Sequence, residues 1–149
     1  MKYIHYGQSS FDRNRFVPIR NIDFYVKPHG GLWASPVDTK WGWKDWCESE
    51  NFHTDRLGES FTFTLSADAK VAHIYDVGYL DSLPGKSIGG FCAIDFEELV
   101  KCGYDAVELH LSEELPDSHG FLDGLYWKLY GWDCDSILIM NPDVVEVVL

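Results

Sequence analysis

Apolar and polar residues alternate along several stretches of this 149-residue chain, and a period of two marks strands. Lys2-Tyr3-Ile4-His5-Tyr6 reads as a first short strand, ended by Gly7-Gln8-Ser9-Ser10. Ile22 to Val26 predicts a second. Leu32 to Ala34 follows the double glycine Gly30-Gly31 and stops at Ser35-Pro36. Phe61-Thr62-Phe63-Thr64-Leu65 alternates most cleanly. The turn residues Ser66-Ala67-Asp68 predict that it returns as a hairpin through Lys70 to Tyr75. Tyr104 to Leu109, Ser136 to Met140 and Val144 to Val148 complete the strands, the last two separated by the turn Asn141-Pro142-Asp143. Gly78 to Gly90, with Pro84-Gly85 and Gly89-Gly90, reads as loop, and Ser112 to Gly120 as acidic loop.

A helical period appears at Trp43, Trp46, Cys47 and Glu50, and Asp38-Thr39 offers a cap for a helix from about Lys40 to Phe52. A second helix is expected from Asp95 to Cys102, with Gly103 as its left-handed cap. A third is expected from Phe121 to Tyr130. Strands and helices do not alternate regularly, so a doubly wound parallel sheet is not expected. The pattern predicts a single α+β domain with mainly antiparallel sheets and short flanking helices.

Composition sharpens this. Aromatic residues make up 15% of the chain, and four of its six tryptophans lie between positions 33 and 46. That cluster either pins a helix onto a sheet or walls a pocket that stacks against a flat ring. No apolar run approaches the roughly 18 residues of a membrane span. Met1-Lys2-Tyr3-Ile4-His5-Tyr6 lacks the long apolar core of a signal peptide. No membrane association is expected, and the expected location is cytoplasmic. Cys47, Cys92, Cys102 and Cys134 form no Cys-x-x-Cys pair, so reduced, buried thiols and no metal site are expected.

Net charge is −12, spread unevenly. Residues 1–28 carry five basic residues against two acids, and the remainder seven against 22, giving +3 and −15. Such a surface repels a polyanion, so an extended nucleic-acid footprint is not expected. A small phosphate ligand needs only one local positive patch, and the first 28 residues are where such a patch would lie.

Five residues in three places stand out chemically: His5 in the first strand, Trp33 and Ser35 after the double glycine, and Asp133 and Asp135 before the most apolar strand. Tyr3-Ile4-His5-Tyr6-Gly7, an arginine-bearing loop, and Gly30-Gly31-Leu32-Trp33-Ala34-Ser35-Pro36 leading into a helix resemble the opening of the ADP-ribosyltransferase superfamily. The likeness is to its diphtheria-toxin and poly-ADP-ribose-polymerase-like (His-Tyr-Glu) branch. Gly103-Tyr104-Asp105-Ala106-Val107 and Gly131-Trp132-Asp133-Cys134-Asp135-Ser136-Ile137-Leu138-Ile139-Met140-Asn141-Pro142 are similar to the C-terminal part of small bacterial and phage members. The resemblance implies split β-sheets and a site for NAD, used as a substrate. It implies that His5 bonds the adenosine ribose, with Tyr6 beside it. Gly7 would let the nicotinamide amide meet the backbone, and Trp33 would stand where a tyrosine usually stacks on nicotinamide. Ser35 would support that wall. Asp135 would sit at the place of the catalytic glutamate, and Arg13 or Arg15 would meet the diphosphate.

The implied activity is cleavage of the nicotinamide–ribose bond with transfer of ADP-ribose to an unknown protein, nucleic-acid or small-molecule acceptor. Tryptophan for tyrosine and aspartate for glutamate depart from the superfamily pattern, and an acid displaced by about 1 Å can lose on the order of a hundredfold in rate. A binding module for NAD or an ADP-ribose-type nucleotide, acting as decoy, inhibitor or sensor, is the alternative. A glycoside hydrolase using carboxylates among Glu108, Glu113, Glu114, Asp133 and Asp135, and a protein-binding domain built on the tryptophan cluster, also stay open.

Overall fold

The computed structural model describes residues 1–111 and 128–148. The expected acidic loop and the helix from Phe121 to Tyr130 fall largely outside them. The stretches expected as strands fold so at β1 (Tyr3–Tyr6), β2 (Leu32–Pro36), β3 (Ser60–Leu65), β7 (Ala106–Leu109), β8 (Ser136–Ile139) and β9 (Val145–Val147). With β4 (Val71–Ile74) they form one sheet in the order β4-β7-β8-β2-β1-β3-β9. The pair β4-β7 is parallel and the other pairs in this sheet are antiparallel. Helices α1 (Trp43–Glu50), α2 (Val77–Ser82) and α3 (Phe96–Lys101) flank it. The domain is thus small and α+β, with most of its regular structure in a mixed sheet.

Two apolar clusters cover opposite faces of this sheet. Residues that alternate along β7 and β8 supply both: Val107, Leu109 and Leu138 to one, Ala106, Ile137 and Ile139 to the other. The first cluster also takes Phe96 and Leu99 of α3, and the second takes Tyr3, Phe61 and Phe63. Burial on both faces explains why β8 reads as a continuous apolar run instead of an alternation.

The sheet is continuous, not split into two. Its centre is narrow, however: β1 meets β2 through only Tyr3↔Pro36 and Ile4↔Ser35. Past that point β1 continues along β3, through His5↔Phe61 and Tyr6↔Ser60, while Leu32, Trp33 and Ala34 pair with β8. The two halves therefore diverge at one seam.

Four local expectations are corrected. Residues 66–69 do turn, with the Ala69 amide on the Ser66 carbonyl, but β4 does not return along β3. The Lys70 amide bonds the Asp105 carboxylate, and the Asp105 amide bonds the Lys70 carbonyl, which docks β4 onto β7 at the far edge. Ile22 to Val26 is turn, not strand. The expected loop from Gly78 to Gly90 holds most of α2 and one strand of a separate ribbon, β5 (Gly85–Ile88) with β6 (Phe91–Ile94). Finally, α1 starts at Trp43 with Gly42 at its N-cap, while the Thr39 hydroxyl accepts from the Trp41 amide at 3.2 Å and donates to Asp135 ahead of the helix. The Ser35 hydroxyl accepts from the Trp43 amide at 2.9 Å, and the Asp45 carboxylate accepts from the Gly42 amide at 2.8 Å. Together they satisfy two amides at the start of the helix. Helix α3 and the left-handed Gly103 after it (φ +87°) are as expected, and the structure adds Asp95 as the N-cap, its side chain accepting from the Glu98 amide. Among the described residues no helix is long and apolar enough to cross a membrane.

Candidate functional site

Where β1 and β2 diverge, a cleft of about 600 Å3 opens. One wall is Ile4 to Gln8, the end of β1 and its following loop; the other is Trp33, Ala34 and Ser35 of β2. Trp43 of α1, Lys27, the segment His53 to Glu59 and the approach to β8 (Gly131, Asp133, Cys134, with Ser136) close it. Its size falls within the range of small-molecule sites.

The divergence leaves the Trp33 carbonyl without a β1 partner in the ladder, and His5 takes it. The His5 ring Nδ1 lies 2.6 Å from that oxygen. A carbonyl can only accept, so Nδ1 carries the proton and Nε2 keeps its lone pair. Burial lowers the His5 pKa, with the Trp33 bond opposing. His5 is therefore a neutral imidazole, a hydrogen-bond acceptor through Nε2 near neutral pH. Gly7 ends β1 at φ +100°, in the left-handed region that favours glycine, and its amide bonds the Glu59 carbonyl at 2.8 Å.

The Trp33 indole packs edge-on against Trp132, with centroids 4.7 Å apart and planes at 73°. Lys27 Nζ sits over the Trp33 ring, 4.9 Å from its centroid, a cation–π contact. Burial lowers the Lys27 pKa, while Asp133 and, less strongly, Cys134 act in the opposite direction. Trp43 stacks on Trp46 at 5.2 Å, and both meet Phe52 edge-on. Of the tryptophan cluster, Trp43 and Trp46 thus pack against each other and Phe52, and Trp33 and Trp43 line the cleft.

The expected site residues separate into two groups. His5, Tyr6, Gly7, Trp33 and Ser35 line the cleft together. Arg13, Arg15 and Asp135 are not among its lining residues. Arg13 and Arg15 form one exposed 3₁₀ turn, and Arg13 pairs with Asp143. The cations at the cleft are Lys27 and Arg56. Lys27 lies in the basic N-terminal stretch, whereas nothing in the sequence around Arg56 marks it.

Asp135 is buried and serves as a tie. Its Oδ1 accepts from the Leu111 amide at 2.6 Å, and its Oδ2 accepts from the Thr39 hydroxyl at 2.5 Å. Its own amide bonds the Trp41 carbonyl, and the Trp41 indole bonds the Asp133 carbonyl at 3.0 Å. These bonds stitch the approach to α1 onto the approach to β8. The acids that do line the cleft are Asp133, Asp55 and Glu59. Cys134 also lines it, but burial pushes its thiol up to about 11. It is a thiol, not a thiolate, at neutral pH, and is a poor nucleophile. Cys47 is buried like Cys134, whereas Cys92 and Cys102 are exposed, against expectation.

Comparison with protein-family models, with curated proteins and with solved structures gives no match. The reading of the cleft therefore rests on its own residues.

Proposed function

We propose that this protein is an ADP-ribosyltransferase-like domain that takes NAD into the cleft between β1 and β2, cleaves its nicotinamide–ribose bond and passes ADP-ribose to a protein or small-molecule acceptor. The observation that carries the reading is the convergence on one cleft of His5, Tyr6, Gly7, Trp33 and Ser35, drawn from two separate stretches of chain. The neutral His5 Nε2 accepts a ribose hydroxyl. The face of Trp33 that holds the Lys27 ammonium also suits the cationic pyridinium of NAD. The ammonium so displaced, with Arg56, serves the diphosphate. As the C1′–N bond breaks, nicotinamide leaves with the bonding pair and positive charge grows on the ribose. Asp133 lines the cleft beside Lys27, and we assign it the stabilisation of that charge. The acceptor's nucleophile then attacks C1′ and loses its proton to solvent.

The bonding of Asp135 by Thr39 and Leu111 favours a second reading. With that carboxylate committed to the fold, the domain holds NAD or an ADP-ribose-type nucleotide without turnover, as a decoy, inhibitor or sensor. Calorimetric titration with NAD, followed by chromatographic detection of nicotinamide in the same sample, separates the two. Binding with release is the expected result. Binding without release selects the second reading, and no heat of binding overturns both.

A further inference from the structure

On the opposite half of the sheet, His73, Glu108 and His110 bring three cation-binding atoms to one point. His73 Nδ1 and His110 Nε2 are 3.0 Å apart, and Glu108 Oε2 lies 3.3 Å from the first and 3.7 Å from the second. We propose that these three residues form a binding site for one divalent transition-metal ion of the zinc type.

The sheet register makes the site. His73 on β4 and Glu108 on β7 are direct partners in the parallel pair, so their side chains rise from the same face. His110 follows β7 by one residue, and its amide bonds the Ile74 carbonyl, which holds it beside His73. A triangle with the three measured sides has a circumradius of about 2 Å, close to the ligand distance of zinc to histidine nitrogen and carboxylate oxygen. An ion just off that plane therefore reaches all three atoms without moving the backbone. It also keeps its remaining coordination positions for water or another ligand.

The surroundings fix the ligands as a metal site requires. The Tyr3 hydroxyl, from the other half of the sheet, donates to Glu108 Oε2 at 2.8 Å. The Tyr75 ring stacks on His110 at 4.1 Å and 12°. Glu108 is fully buried, and a carboxylate out of water is costly unless a cation or donors meet it. The His73 side chain is 46% exposed, which gives an ion a way in. The donor set of two imidazoles and one carboxylate suits zinc and its first-row neighbours over magnesium or calcium.

The test is calorimetric titration of the chelator-stripped full chain with zinc chloride. Magnesium chloride, the His73→Ala variant and the Cys92→Ser/Cys102→Ser double variant are run alongside. His73 is the exposed member of the set, so its truncation leaves the core intact, which circular dichroism checks. One zinc per chain is expected, with no heat from magnesium. Affinity should fall at least tenfold in His73→Ala and persist in the cysteine double variant. Absence of zinc binding, equal binding by His73→Ala, or loss of binding with the two exposed cysteines overturns the site.

Discussion

At the residue scale, two aspartates separated by one residue have different tasks. Asp133 lines the cleft, whereas Asp135 is buried under two hydrogen bonds. Asp133→Asn should therefore lower nicotinamide release at least about a hundredfold while leaving NAD affinity within a few fold, the pattern of an interaction made mainly in the transition state. Asp135→Asn should instead destabilise the fold by about 2–4 kcal/mol, since it weakens two charge-assisted bonds and sets an amide donor among other donors. Parallel denaturant melts and turnover assays check the pair. Full turnover in a folded Asp133→Asn, or unchanged stability in Asp135→Asn, would reverse the assignment. The sequence singled out both acids, and the resemblance gave the catalytic place to Asp135, which the fold instead ties to Thr39 and Leu111. Thr39 and Leu111 are distant in sequence and converge on Asp135 only in the fold. His5 was singled out by its place mid-strand, two residues before Gly7, and by the resemblance that the motif carries. Arg56 was not, because one arginine in a polar loop looks like any other.

At the element scale, what could be read was what adjacent residues determine. The strands β1, β2, β3, β7, β8 and β9, and the helix α3 with its Gly103 cap, follow from local period and capping chemistry. The parallel pairing of β4 was hidden because it depends on Asp105, thirty-five residues away, capturing Lys70. The ribbon β5-β6 was hidden differently. Gly89 and Gly90, at φ +50° and +102°, are turn residues in plain view, but the flanking strands carry too little alternation to stand out. At the double glycine before β2 neither residue has room for a side chain, and a Cβ on Gly30 would lie 2.3 Å from the Pro18 carbonyl oxygen. Gly31 has φ +76°, and a Cβ there would lie 2.5 Å from the Leu138 side chain and 2.9 Å from the Ile139 carbonyl. Gly31→Ala therefore combines left-handed strain with a clash against β8. It should cost at least about 2 kcal/mol, read as a lower denaturant midpoint at an unchanged slope. A midpoint equal to the wild type would mean that β2 is free to move away from β8.

At the scale of the whole molecule, the sheet is two halves joined by two residue pairs, with the cleft at the joint. The sequence suggested an α+β domain with mainly antiparallel sheets and located five cleft residues, but it could not show where the sheet would open. That follows from β1 and β2 choosing different partners after Ile4 and Ser35. A nucleotide in the cleft touches both halves, so it should act as a clamp across the seam. Any ligand of the folded state raises global stability, by about 2.7 kcal/mol at a hundredfold excess over Kd. A clamp does more than that: it suppresses the local opening of the seam, which is less costly than global unfolding. In native-state hydrogen exchange with saturating NAD, segments 4–8 and 33–43 should therefore gain protection together. Gly7, bonded to Glu59, and Trp43, bonded to Ser35, are the informative amides. The β4-β7 pair, distant from the cleft, should show only the global increment. Protection gained on one wall alone would place the ligand against one half of the sheet and reject the clamp, and with it the assignment of both walls to one nucleotide.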